Sequence, residues 1–139
     1  MADRDLIAPC GLDCFNCPVL EGNITEGTRR AMAGHLGIAP EDYSPCKGCR
    51  AERGRERFGQ DCATWACVLK KGIDGCGECG EFPCEYLAPT QKGAAFPHNM
   101  KVYNLCRMRS IGVEAWIAES AEIRRRYYEG EFAVGRGPT

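Results

Sequence analysis

Cys10-Gly11-Leu12-Asp13-Cys14-Phe15-Asn16-Cys17-Pro18, followed further along by Cys46-Lys47-Gly48-Cys49, is the pattern on which the fold turns. A Cys-x-x-Cys turn presents two thiolates on one side of a bend. Their separation suits two vertices of a tetrahedron with Zn–S bonds of about 2.3 Å. Outward from these turns the pattern continues as Cys62-x4-Cys67, Cys76-Gly77-Glu78-Cys79 and Cys84, so that ten of the eleven cysteines fall between Cys10 and Cys84. Such a chain is expected to be held together by metal rather than by a large apolar core.

Disulfides are the competing use of so many thiols, and they belong to secreted chains more than to intracellular ones. Met1 to Cys10 carries Asp3, Arg4 and Asp5 without an apolar run, and no stretch is long and apolar enough to span a bilayer. The expected location is cytoplasmic, with reduced thiols and no membrane partner. An odd count of eleven also leaves one cysteine over in any fully paired scheme.

The length of 139 residues predicts a single domain over 1–139, and 27% charged with 44% apolar residues is ordinary for a globular chain. Seventeen glycines and eight prolines are more than ordinary, and many sit beside the cysteines. The expected fold is mainly α, a small cysteine-rich domain stabilised by metal, with knuckle loops, at most short hairpins and a C-terminal helical pair. Within it, 7–89 is the metal-binding region, 98–128 the helical region and 129–139 a flexible tail.

Local signals place the elements. A helix from Thr25 to Leu36 has Ile24, Met32 and Leu36 as its apolar side and Gly37 as its exit. Pro18 suits a helix start, which Gly22 and Gly27 interrupt. Asp61 is the expected cap of a helix over Cys62 to Lys71 that stops at Gly72. On a regular helix Cys62 and Cys67 lie ~140° apart, so they share a metal only if Cys62 sits off the helix end. Pro83 opens a short turn that Pro89 ends, and 90–97 reads as a linker. His98 to Ser110 places Val102, Leu105 and Cys106 on a core face. After Gly112, Val113, Trp116, Ile117 and Ala121 form the next apolar stripe.

The simplest partition gives one zinc to Cys14, Cys17, Cys46 and Cys49, with Cys10 spare or replacing one of them. A second zinc takes four of Cys62, Cys67, Cys76, Cys79 and Cys84. Closed tetrathiolate sites leave no open coordination position, which is the arrangement of structural zinc. A spare thiolate would suit metal transfer or redox sensing. His35 and His98 lack metal-like spacing to any cysteine, and Cys106 is expected to be a buried, inert thiol.

Other chemistries fit less well. Cys10-x3-Cys14-x2-Cys17 matches the cluster triad of radical S-adenosylmethionine enzymes, but those need a barrel of about 200 residues or more, and Asn16 stands where an aromatic residue precedes their third cysteine. An iron–sulfur cluster uses the same ligands and stays as the alternative cofactor. Lys47 to Arg57 has a net charge of +3 through Lys47, Arg50, Arg53, Arg55 and Arg57, and Arg124-Arg125-Arg126 is also basic. With a net charge of −1 and an acidic run from Asp74 to Glu85, a nucleic-acid footprint is not favoured. No phosphate-binding loop, nucleophile elbow or carboxylate pair indicates catalysis.

Ala8-Pro9-Cys10-Gly11-Leu12-Asp13-Cys14, Cys17-Pro18, Cys46-Lys47-Gly48-Cys49-Arg50, Cys67, Lys71-Gly72, Cys76-Gly77-Glu78-Cys79 and Phe82-Pro83-Cys84 together resemble a prokaryotic family of cysteine-rich proteins, domain of unknown function 3795. The resemblance covers about Ile7 to Leu87. A segment like Ile111-Gly112-Val113-Glu114-Ala115-Trp116 also follows the cysteine region in relatives. It implies zinc binding without an assigned activity. The expectation is a small cytoplasmic zinc protein, its zinc structural and its surface serving an unidentified protein partner. The alternative is a thiol-based redox or metal-handling protein.

Overall fold

The computed structural model describes residues 3–54, 61–88 and 100–139. Among them are four α-helices: α1 (Glu26–Leu36), α2 (Ala63–Lys71), α3 (Lys101–Ile111) and α4 (Val113–Glu129). A two-stranded antiparallel hairpin follows, β1 (Phe132–Ala133) against β2 (Gly137–Pro138). Short 3-10 turns carry much of the cysteine region. The mainly helical, cysteine-rich fold with its C-terminal helical pair is the architecture the sequence predicts.

The helix ends follow from side-chain chemistry. Thr25 accepts the Thr28 N–H at 3.1 Å and opens α1, while Gly37, at φ +69°, closes it in the left-handed region that glycine tolerates. The helix at α2 is capped by Cys62, not Asp61: the Cys62 Sγ accepts the Trp65 N–H at 3.5 Å. Sulfur takes over the role usually filled by oxygen. No helix begins at Pro18, where turns lead from Cys17 to Asn23.

Two apolar clusters form the core. One gathers Ala8, Cys10, Leu12, Val68, Cys76 and Leu105 beneath the cysteine loops. The other centres on the fully buried Trp116 with Ile7, Met100, Ile123 and Tyr127, and Phe15 meets the indole edge-on at 5.9 Å between ring centres. Met108 packs against both clusters, so α3 joins them.

Several expected faces are displaced. On α3 the buried side runs through Lys101, Asn104 and Leu105, and Val102 and Cys106 point outward. The Cys106 thiol is therefore exposed, contrary to its expected place in the core. On α4 the stripe runs Trp116, Ser120, Ile123, Tyr127, and Ala121 is exposed. Helix α1 buries Ala33, while Leu36 is exposed and Met32 only half-buried. The tail folds back where its glycines suggested a flexible end, with Pro138 buried and Glu131 and Thr139 exchanging backbone hydrogen bonds at 2.9 and 3.2 Å. Pro89, the 90–97 linker, His98, Arg55 and Arg57 lie outside the described residues.

The Cys10 turn is seated on α3 through Gly11. Its φ is +90°, and a Cβ there would stand 2.8 Å from Leu105 Cγ and 2.9 Å from the Lys101 carbonyl oxygen. Asn104, buried beside it, donates to the Gly11 carbonyl at 2.9 Å. Gly11→Ala is expected to cost about 1–3 kcal/mol through overpacking in urea unfolding followed by circular dichroism. Gly72→Ala, at a positive φ of +63° facing open space, should cost only about 1 kcal/mol. Equal losses would show that backbone strain, not the contact with α3, dominates.

Candidate metal centre

None of the eleven cysteines is joined in a disulfide. The Cys10 loop is built by a tight turn in which Ala8 N–H donates to the Leu12 carbonyl at 2.9 Å and Gly11 N–H to the Ala8 carbonyl at 2.8 Å. A 3-10 turn over Cys14–Asn16 then sets Cys14 and Cys17 apart by one bend. Cys46 is brought alongside by pairing with Leu20, where Glu21 N–H donates to the Cys46 carbonyl at 2.7 Å. Gly48, at φ +93°, lets the next bend carry Cys49 back toward Cys14.

Main-chain N–H groups are aimed at sulfur throughout this region. Cys46 Sγ accepts from Gly48 at 3.4 Å, Cys79 Sγ from Glu81 at 3.4 Å, and Cys62 Sγ from Trp65 at 3.5 Å. Cys10 accepts from Leu12, Cys14 from Cys49 and Cys17 from Val19. Four of these six bonds come from the residue two positions on, the bend of a knuckle. Hydrogen bonds of this kind favour the charged thiolate, the form that binds metal.

The thiols fall into two groups. In the first, the Cys49 S–H donates to Cys14, which lowers the Cys14 thiol to about 7 and raises that of Cys49. Burial raises Cys17, and it pushes Cys10 up to about 11 despite the nearby Lys101 ammonium. Cys10 lies within electrostatic reach of Cys14, Cys49 and Cys62. In the second group, Cys67, Cys76, Cys79 and Cys84 line one cavity of about 360 Å³. Burial pushes the Cys76 thiol up to about 12, and Cys10, Cys84, Cys67 and Cys79 add to that shift. Cys62, off the end of α2, is not among the cavity residues. Among the described residues, no three His, Cys, Asp or Glu side chains are gathered closely enough to hold a single metal ion.

Cationic side chains tie the groups to the rest of the chain, and sequence reading missed most of them. Arg124 grips Asp13 with two bonds, Nη2 to Oδ1 at 2.6 Å and Nε to Oδ2 at 2.8 Å. The two side chains are only 16% and 6% exposed, so this pair is largely desolvated. Asn16 donates both to Asp13 at 3.0 Å and to Ser120 at 2.9 Å. Arg50 donates to the Ile7 carbonyl at 2.8 Å and reaches both carboxylate oxygens of Asp74, joining three segments. Lys71 donates to Cys79 Sγ at 3.4 Å and pairs with Glu81. Lys101 is buried, with the Ala88 carbonyl at 3.3 Å. Asp13 stood in plain view between two cysteines. Its partner 111 residues away was hidden in a basic run that reads as solvated.

That run is also largely neutralised within the chain: Arg125 and Arg126 both bond to Glu122. His35 is exposed at the end of α1. No described helix is long and apolar enough to cross a membrane.

These loops and their paired cysteines define a small cysteine-rich family of proteins. The chain belongs to the family described as protein of unknown function (DUF3795), whose model matches residues 6–89. It matches no curated protein and no solved structure.

Breaking the buried pair should be costly because it strands one charge away from water. Arg124→Met and Asp13→Asn are each expected to lose about 3–5 kcal/mol of stability in urea titration. The double variant Asp13→Asn with Arg124→Met should lose less than the sum. Losses under about 1 kcal/mol for both single variants would mean that the pair is effectively solvated.

Proposed function

We propose that this is a cytoplasmic zinc-binding protein whose metal is structural and whose surface serves as an interaction module for another protein. The observation that carries the reading is the gathering of paired cysteines on knuckle bends whose main-chain N–H groups point at sulfur, as at Cys46, Cys62 and Cys79, the way such bends present ligand sulfur to a cation. The donor set fits zinc: thiolates are its preferred ligands in structural sites, and Cys14 and Cys49 are near enough to share an S–H hydrogen bond. Cys10, Cys14, Cys17, Cys46, Cys49 and Cys62 are the residues from which a zinc site would draw, and Cys67, Cys76, Cys79 and Cys84 form a second group of metal ligands.

A redox or metal-handling role needs an accessible thiolate, and Cys10 is a poor one, buried and held toward the neutral thiol. Nucleic-acid binding is also weakened, because Arg50 and Arg124 are spent on internal carboxylates.

Protein purified without oxygen is expected to contain tightly bound zinc. A strong chelator should unfold 7–89, seen as a loss of near-ultraviolet circular dichroism, because apparent zinc binding energies of about 10–16 kcal/mol rival the stability of a whole domain. Protein free of metal, or unchanged by the chelator, would sink the proposal. Brief alkylation of the metal-loaded protein, read by mass spectrometry, should label Cys106 and spare Cys10. Labelling of Cys10 as fast as Cys106 would favour the redox reading.

A further inference from the structure

The two cysteine groups differ in shape. In the first, Cys14 and Cys49 share an S–H hydrogen bond. In the second, four cysteines line a cavity of about 360 Å³, far more than a single ion fills. A mononuclear thiolate site with bonds of about 2.3 Å holds its sulfurs roughly 3.8 Å apart and leaves no room between them. A polynuclear iron–sulfur cluster has the opposite requirement: its core occupies the middle, and four cysteines reach inward from a ring around it.

We propose that Cys67, Cys76, Cys79 and Cys84 are the four ligands of an iron–sulfur cluster seated in this cavity, while zinc belongs to the first group alone. The proposal rests on the metal-binding reading above and deepens it by naming the occupant of the second group.

The walls suit such an occupant. Val68, Ile73, Phe82 and Leu87 supply an apolar lining, and Val68 and Leu87 are themselves buried. Low polarity around a cluster limits solvent access and tunes its potential. One ligand sulfur, Cys79, already accepts two hydrogen bonds, from the Lys71 ammonium at 3.4 Å and the Glu81 amide at 3.4 Å. Bonds to ligand sulfur stabilise the more negative, reduced cluster. The ligands also come from separated supports. Cys67 projects from α2, Cys76 and Cys79 belong to one 3-10 bend, and Cys84 precedes another. The Cys76 amide is held by the Pro9 carbonyl at 2.8 Å, and Thr64 fixes the Tyr86 carbonyl at 2.7 Å. The ring is therefore braced from outside, and its width does not depend on the sulfurs meeting.

The test uses the full chain. Protein is purified without oxygen, incubated with ferric iron, sulfide and thiol reductant, desalted, and assayed for iron, sulfide and zinc per chain. The expected result is iron and acid-labile sulfide in equal amounts, two or four of each according to cluster type, with visible absorption that bleaches on reduction. Zinc should remain bound at the first group. Alkylation of the same wild-type sample should find Cys67, Cys76, Cys79 and Cys84 protected together and exposed together after the cluster is oxidised away. Colourless protein with two zinc ions and no sulfide would overturn the proposal and leave the zinc reading intact. Sulfide-bound iron protecting Cys14 and Cys49 instead would overturn it as well. Iron and sulfide with no zinc anywhere would preserve the cluster and refute zinc at the first group.

Discussion

The Asp13–Arg124 ion pair is the constraint on which the rest depends. Asp13 sits inside the first cysteine turn, and its carboxylate is drawn out of water only because Arg124 meets it in a bidentate grip. That grip fixes how α4 lies across the loop, and Asn16 and Ser120 extend the same network by two further bonds. With α4 set, Trp116 closes over Phe15. Placement of α3 follows through the single residue Gly112 and is secured by the Arg107–Glu119 pair at 2.9 Å. The helices are thus a clamp on the cysteine turns rather than a separate layer.

A second tie acts between the cysteine groups. Arg50 follows Cys49 immediately, yet its guanidinium spans to Ile7 and Asp74, and the Cys76 amide reaches Pro9. Cys10 lies where these connections cross, in the core cluster that also contains Cys76. Its burial explains why a residue that looks spare by count is a packing element in space. The two groups therefore share a floor, with Cys10 and Cys76 in the same core cluster.

Much of this was legible from local chemistry. Thr25 and Gly37, and Gly72 after Lys71, mark helix ends whose signals act within a few residues, and they fall where expected. The cysteine spacing grouped Cys62 with Cys67, but Cys62 caps α2 from outside and does not line the cavity that Cys67 lines. What was hidden depends on distant partners. The stripe on α3 includes Lys101 and Asn104, polar residues that an apolar count passes over, because their burial is set by the Ala88 and Gly11 carbonyls. Val102 and Cys106 looked like core for the same reason in reverse. The fold-back of the tail rests on pairing of Glu131 with Thr139 and packing of Gly137 on the Tyr103 ring, not on its own apolar content.

The separation of Asp13 from its partner has a temporal side. The two are 111 residues apart, and a chain made at about 5–20 residues per second exposes its first cysteines for several seconds before Arg124 exists. Contacts so distant in sequence also form late in folding, after local turns and helices. During that interval Cys10, Cys14 and Cys17 are open to solvent, to metal and to oxidants alike. The turn that is synthesised first is the one locked last, so the order of synthesis leaves its thiols a period of open access that the finished fold then narrows.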